Sequence, residues 1–387
     1  MSPLSICFVA PMAYPVLAQD RSLPFAGGAE VQQVGIATAL ARRGHRVSMI
    51  CHDHGFPDGG SIRGVRVFRM CGPSAGLPVV RFVHPRLTSL WSAMRRANAD
   101  VYYQRTSGAA TAFVAAFAQR HGRASVFAGA HDADFEPDLP LVRLRRDKLL
   151  YRWGVRHVNR IVAQTDRQQR RCKETFGRDA VRIDSCYAHA GLPATQDGVV
   201  LWVATVKPMK RPDLFLELAR ALPACRFRLV GGPDGSADGR AYFEDIRTRA
   251  AALPNVEVTG FVPFVDVERH FDGASIFVNT SSGEGFPNTF LQAWSRAIPT
   301  VSFFDAGVSV AGHPVGVVVP DTAAMVAAVQ QLKGSPSLWA ETGERARACF
   351  ESRHSADRIT EAYEQLLVDA MGRRRGNPSR LAQPAKS

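Results

Sequence analysis

Asn279-Thr280-Ser281-Ser282-Gly283-Glu284-Gly285-Phe286-Pro287-Asn288-Thr289-Phe290-Leu291-Gln292-Ala293-Trp294 is the stretch on which the fold turns. An apolar, β-branched run over 275–280 ends here, a glutamate flanked by glycines follows, and a helical pattern opens at Pro287. Strand, tight loop and helix form the repeating unit of parallel α/β sheets. Pro287 suits a first helical position, because proline has no N–H to leave unsatisfied there. The first-turn N–H groups of such a helix, from Phe286 to Thr289, offer a site for phosphate or sugar oxygens. Glu284 is placed either to accept hydrogen bonds from hydroxyls or simply to cap the helix. Gln292 lies one turn beyond Asn288, on the same side.

The same unit repeats in both directions along the chain. In the first half, strands are expected at 4–10, 45–51, 64–70, 100–104, 124–130, 160–164 and 180–187. Helices fall between them at 29–43, 86–97, 107–121, 140–157 and 166–176. The first helix stops at Arg42-Arg43-Gly44, cations followed by a glycine. Residues 188–198 read as a linker, after which the pattern restarts. Strands then follow at 199–205, 226–230, 255–259, 275–280 and 299–303, with helices at 211–221, 240–252, 287–296, 321–332 and 355–370. The expected fold is α/β: two tandem Rossmann-like, doubly wound domains with ligand sites at the carboxyl ends of their strands, facing a cleft. Their bounds are 1–190 and 191–370, with the last helix packing back on the first domain and a frayed basic tail at 371–387.

Composition fits this reading. The 387 residues are 46% hydrophobic and 21% charged, enough for two ordinary cores and unlike a disordered chain. Seven cysteines are scattered, odd in number and never spaced Cys-x-x-Cys, so they are expected to be reduced and to pack as small hydrophobes. The N-terminus lacks the basic start and apolar run of a signal peptide, and no stretch is long enough to span a bilayer. A cytoplasmic location is expected. The net charge of +13 resides in residues 1–190, where 27 Lys and Arg face 14 Asp and Glu; residues 191–387 balance at 21 against 21. Such asymmetry points to an anionic partner: a phosphorylated acceptor, an anionic membrane or a nucleic acid.

Three further segments carry chemistry. Trp202-Val203-Ala204-Thr205-Val206-Lys207-Pro208-Met209-Lys210-Arg211-Pro212 leaves a strand and opens a helix. Three cations at a helix start oppose the macrodipole unless an anion sits with them. A departing diphosphate gains charge as its bond breaks, and fixed cations such as Lys207, Lys210 and Arg211 lower that barrier; a solvated charge cluster is the alternative. Phe25-Ala26-Gly27-Gly28-Ala29-Glu30 places paired glycines at the first helix, where backbone N–H groups can approach a phosphate. Phe127-Ala128-Gly129-Ala130-His131-Asp132-Ala133-Asp134 ends a strand in a histidine that serves either at the site or as a plain cap. Gly231-Gly232-Pro233 and Gly260-Phe261-Val262 are weaker signals of the same kind.

The segment around Glu284 resembles family 4 (group 1) of the retaining glycosyltransferases, proteins of the GT-B fold. That family carries a glutamate, seven residues and a second glutamate, with Gly-Phe-Pro or similar after the first; here Glu284 stands at the first position and Gln292 at the second. The resemblance runs from about residue 4 to 365 and is tighter in the second half. It implies that Glu284 contacts the donor sugar and that position 292 holds the ribose hydroxyls, here without a charge. It implies that Lys210 meets the diphosphate, while the family's arginine position is Thr205, so Lys207 or Arg211 must supply the second cation. It makes Gly27 and Gly28 a donor-phosphate loop, puts His131 near the reacting sugar, and sets loops near 231–233 and 260–262 beside the base. The implied activity moves a sugar from a nucleotide diphosphate donor to a glycan or lipid-linked acceptor in cell-surface polysaccharide or glycolipid synthesis.

No cofactor or metal is expected: no His/Cys spacing suggests a metal site, and Asp132-Ala133-Asp134 reads as an accidental match to the acid pair of metal-dependent glycosyltransferases. No hydrolytic triad stands out. Two rivals remain, a nucleotide-sugar epimerase and a non-catalytic basic module binding membrane or nucleic acid. The first needs a deprotonating set that is not assembled, and nucleic acid is disfavoured because aromatics do not interleave with the cations. Residues 141–182 hold 13 cations against four acids. Leu141, Leu144, Tyr151, Val155 and Val158 recur there near helical spacing, which predicts an amphipathic helix with a cationic rim. That helix either packs on its own sheet or docks peripherally on the inner face of the cytoplasmic membrane.

Overall fold

The computed structural model describes residues 3–375 apart from 24–26, 78–80, 189–190, 285 and 311; for 373–375 it describes the backbone alone. Phe25 and Ala26 of the glycine loop, Gly285, part of the expected linker and the tail beyond 375 therefore lie outside the described residues. The chain forms two compact units. One takes the N-terminal residues through Ala18, then Ala29–Ile183, and the chain from Thr360 onward. The other takes Gln19–Gly28 and Asp184–Ile359.

The first unit opens with β1 (Ser5–Val9), α1 (Tyr14–Ala18), α2 (Gly28–Arg42), β2 (Arg46–His52), β3 (Gly60–Ile62) and β4 (Val65–Met70). It continues through α3 (Thr88–Ala97), β5 (Val101–Arg105), α4 (Ala109–Arg120), β6 (Ala124–Ala128), α5 (Arg145–His157), β7 (Arg160–Ala163), α6 (Asp166–Phe176) and β8 (Val181–Arg182). The sheet order is β3-β4-β2-β1-β5-β6-β7-β8, parallel except for the β3–β4 pair. The chain runs outward from β1 on one side through β2 and on the other through β5, so strand order reverses between them. Both faces are apolar, as a parallel sheet covered by helices requires. Cys7, Phe68, Met94 and Phe117 pack in one cluster, and Phe127, Phe135, Tyr151 and Ile161 in another.

The second unit comprises β9 (Val200–Val203), α7 (Pro212–Ala221), β10 (Phe227–Val230), α8 (Ala237–Ala251), β11 (Val256–Val258), α9 (Phe264–Val267) and β12 (Ile276–Asn279). It then adds α10 (Asn288–Trp294), β13 (Thr300–Ser302), β14 (Ser309–Val310), β15 (His313–Pro314), β16 (Val317–Val318), α11 (Thr322–Gly334) and α12 (Pro336–Cys349). Helix α13 (Ala356–Arg375) starts in this unit and ends in the first. The main sheet runs β11-β10-β9-β12-β13-β16, all parallel, and its order reverses between β9 and β12. Successive residues of β9 alternate between cores: Val200 and Trp202 join Phe215, Phe227 and Met325, while Leu201 joins Phe277, Phe290 and Trp294.

The departures from expectation are local. The strand expected over 180–187 is limited to Val181–Arg182, because the chain leaves the sheet; Tyr187 instead bridges Ser355. The helix expected from 140 starts at Arg145, with Leu144 extended (φ −88°, ψ 134°). Pro287 is not the first helical residue but the extended residue before it (φ −66°, ψ 120°), and α10 has only seven residues. The expected linker is not loose where it is described: Ala194 donates to the Arg296 carbonyl at 2.9 Å, and a Cβ on Gly198 would meet the Gly273 oxygen at 1.9 Å. The expected tail at 371 is still helix through Arg375. Helix α12 had no sequence signal beyond Gly334-Ser335-Pro336, which marks a stop as readily as a start; Ser335 accepts the Leu338 N–H and caps it. Among the described residues no helix is long and apolar enough to cross a membrane.

Candidate functional site

In an open parallel sheet, ligands bind beyond the carboxyl ends of the strands where strand order reverses. In the second unit that point lies between β9 and β12, and the loops following these strands carry Lys210 and Glu284. Residues 74 apart in sequence meet there: the Lys210 ammonium lies 2.5 Å from a Glu284 carboxylate oxygen, both largely shielded from solvent. Ser281 donates to the same oxygen at 2.7 Å. Glu284 is thus fixed by a cation and a hydroxyl rather than by capping α10.

The loops are joined by their backbones. Buried Trp202 donates its indole N–H to the Thr280 hydroxyl (2.9 Å), which donates to the Lys210 carbonyl (2.8 Å). Ser282 donates its N–H and its hydroxyl to the Met209 carbonyl (3.0 and 3.1 Å). The turn Pro208–Lys210 ends at Arg211, whose left-handed φ of +49° aims the chain into α7. The neighbouring loops close against it: Val206 donates to the Gly232 carbonyl (2.9 Å) and Gly231 to the Gly260 carbonyl (3.2 Å). Gly231 has φ +146°, and a Cβ there would meet the Ala204 oxygen at 1.8 Å, so glycine is required.

The other sequence candidates are placed as follows. Lys207 is half-exposed, 3.9 Å from Asp234. Arg211 grips Asp213 through two nitrogens at 2.9–3.1 Å, so of the two candidates for a second phosphate cation Lys207 is the more loosely held. Thr205 is exposed. The Asn288 amide donates to the Gly28 carbonyl at 2.9 Å, joining the 19–28 segment to the start of α10 within this unit. Gly27 lies one residue before Gly28 and is half-buried, and Thr289 is half-buried in the first turn of α10. Phe286 stacks on His354 (centroids 5.1 Å apart) and meets Trp294 edge-on, so its ring belongs to packing. Gln292 is buried.

In the first unit, His131 ends the β6 loop and caps the short turn Asp132–Asp134. Its Nδ1 accepts the Ala133 N–H at 3.0 Å. Asp134 completes the box, accepting the N–H groups of Ala130 (2.7 Å) and His131 (2.9 Å) on one oxygen and of Ser107 (3.3 Å) on the other. Asp132 is bonded to the Gln168 amide (3.0 Å) and lies 3.4 Å from Arg167. Sequence reading missed Arg105, which closes β5 beside the point where this sheet reverses. It is 4% exposed, with its Nε unbonded among the described residues. The available signal was an arginine closing the strand run Val101-Tyr102-Tyr103-Gln104, where a charge has to be buried.

Comparison with known proteins adds to this geometry. Residues 26–187 match the family described as Glycosyltransferase Family 4, and residues 197–334 that described as Glycosyl transferases group 1. The D-inositol 3-phosphate glycosyltransferase of Geodermatophilus obscurus is 28% identical over 263 residues, covering 60% of this chain and 58% of that protein. That of Kineococcus radiotolerans is 27% identical over 268 residues, covering 58% and 61%. The chain thus spans less than two thirds of the length of these relatives. Among solved structures, sucrose-phosphate synthase from Thermosynechococcus elongatus superposes with a TM-score of 0.75 at 15% identity, covering 95% of this chain and 99% of that one. Anabaena HepE in complex with UDP and glucose gives 0.70 at 15% identity, covering 94% and 99%.

Proposed function

Because the chain belongs to the group 1, family 4 glycosyltransferases, we propose that it transfers a sugar from a nucleoside diphosphate donor to a hydroxyl acceptor with retention at the anomeric carbon. The observation that carries this reading is the Lys210–Glu284 pair at the strand-order reversal of the second sheet. An ammonium has three donors, so Lys210 can keep Glu284 and still bind a diphosphate oxygen. As the glycosidic bond breaks, the departing phosphate gains charge, and Lys210, with Lys207, stabilises it. The acceptor hydroxyl forms the new bond on the face the diphosphate leaves, and its proton passes to the departing phosphate oxygen. Glu284 accepts hydrogen bonds from the sugar hydroxyls, and the backbone over 286–289 orients the ring. Gln292 bonds the ribose diol, Gly27 and Gly28 approach the phosphates, and His131 keeps the catalytic role that the family resemblance implies.

The acceptor we propose is a glycan or lipid-linked hydroxyl in cell-surface polysaccharide or glycolipid synthesis. The names of the relatives add D-inositol 3-phosphate as a candidate, and the HepE complexes add UDP-glucose as a donor to try first. No metal is needed in this reading, since side-chain cations and backbone N–H groups serve the phosphates. The proposed compartment is the cytoplasm, in keeping with seven free cysteines. Incubation with a panel of nucleotide sugars, with and without these acceptors and with excess chelator, tests it. The expected result is acceptor-dependent release of nucleoside diphosphate and an α-linked product from an α-linked donor, undiminished by chelator. Conversion of the nucleotide sugar without acceptor would replace the reading with epimerisation. Loss of turnover in chelator, restored by Mn²⁺, would bring Asp132 and Asp134 back as ligands.

A further inference from the structure

The apolar positions expected to form one face over 141–158 divide in two. Tyr151, Val155 and Val158 are buried in the first unit's core, whereas Leu141 and Leu144 are 56% and 55% exposed. Two more apolar side chains are exposed on α5 itself: Leu149, at 66%, and Trp153, at 38%, its ring stacked on His157. Leu149 and Trp153 are four apart on α5 and so share one face, away from Tyr151 and Val155. Helix α5 therefore carries a second apolar stripe that its own core does not use.

The stripe is rimmed by cations. Residues 141–157 contain Arg143, Arg145, Arg146, Lys148, Arg152 and Arg156 against the single acid Asp147. Arg146 pairs with that acid at 2.9 Å and lies over the Phe82 ring. Lys148 and Arg152 donate to the carbonyls of Asp138 and Pro137, bonds that leave their charge uncompensated. Exposed leucines and a tryptophan among long cationic side chains suit the boundary of a bilayer. There the apolar groups enter the acyl region, while Arg and Lys keep their heads among the phosphates. Three of these four side chains are aliphatic and give no stacking platform for bases, the fourth already stacks on His157, and six cations against one acid match an anionic surface rather than a neutral one.

We propose that residues 141–157 form a docking surface for a bilayer bearing anionic headgroups, seated through Leu141, Leu144, Leu149 and Trp153. The claim does not depend on glycosyl transfer and is tested without it. Sedimentation of the full chain with phosphatidylcholine vesicles containing about a third phosphatidylglycerol, and with pure phosphatidylcholine vesicles, is the experiment. Binding to the anionic vesicles alone is expected, weakening by about fivefold per basic residue removed. Arg143→Glu with Arg145→Glu should reduce it at least tenfold, and so should Leu144→Glu with Leu149→Glu, both with unchanged melting temperature because these side chains are exposed. Binding to neither vesicle, or equally to both, overturns the proposal. So does binding that survives the leucine substitutions but is displaced by duplex DNA, which would make the surface a general polyanion site.

Discussion

The loops at the carboxyl ends of the two sheets are built from similar residues and held in different ways. Beyond β9 and β12, hydroxyls and backbone groups bind the loops to each other, leaving Lys210 and Glu284 bonded side chain to side chain. Beyond β6, His131 and Asp134 are engaged by backbone N–H groups of their own turn. A side-chain pair can exchange one partner for a ligand without unfolding anything. A cap cannot, because each bond withdrawn exposes a buried N–H. A carboxylate can therefore change partner in one loop, whereas in the other it is fixed by the backbone of its own turn.

The largest test of that contrast removes the pair. Lys210→Ala and Glu284→Ala are each expected to cut turnover about a hundredfold or more, the size of one lost transition-state contact. Stability should also fall, by about 1–3 kcal/mol, because the partner left behind is largely shielded from water and loses its counter-ion. The double variant should fall little further than either single one, because both residues act on one donor. Near-normal turnover of Lys210→Ala would remove the diphosphate from this loop. Asp134→Ala should leave turnover alone. Losing an acceptor shared by three N–H groups costs about 3 kcal/mol of stability, read by calorimetry, with turnover per folded molecule kept. An unshifted transition would mean that the cap is not holding the loop.

His131→Asn sharpens the comparison at intermediate scale. Asparagine is a good N-cap, so stability should stay within about 0.5 kcal/mol while the imidazole is lost. We expect a roughly tenfold drop in turnover from loss of the imidazole; unchanged turnover would leave His131 a cap and nothing more. The smallest effect is expected on α13. Burial pushes the Glu364 carboxyl up, but bonds from Arg43 (2.7 and 2.8 Å) and His45 (2.9 Å) outweigh it and hold its pKa below the usual value. A carboxyl depressed in the folded state stabilises fully above its unfolded pKa, and that contribution is lost as pH falls through the folded one. Wild type should thus melt above Glu364→Gln at neutral pH, and the two should converge in acid. A constant offset at every pH would assign the difference to packing.

The alternation of apolar runs determined the parallel sheets, because strands buried on both faces must be apolar throughout and crossover helices must follow them. Glu284 and Lys210 were legible for a related reason: a charge beside glycines or at a helix start is poorly placed unless something binds it. Helix α12, the short strands β14 to β16 and the outward stripe of α5 were not legible, since short or mixed patterns fit several partners equally. Only the tertiary structure decided which polar groups were already satisfied. Gln292 is buried, Arg211 is held by Asp213, His131 caps a turn, and Arg105 lies inside the first sheet with one nitrogen unbonded among the described residues. Hydrogen bonding is settled by which backbone groups reach a side chain within about 3 Å, and those groups come from residues far apart in the chain. Sequence spacing fixes neighbours along a helix or strand; the meeting of Lys210 with Glu284 exists only once β9 and β12 lie side by side.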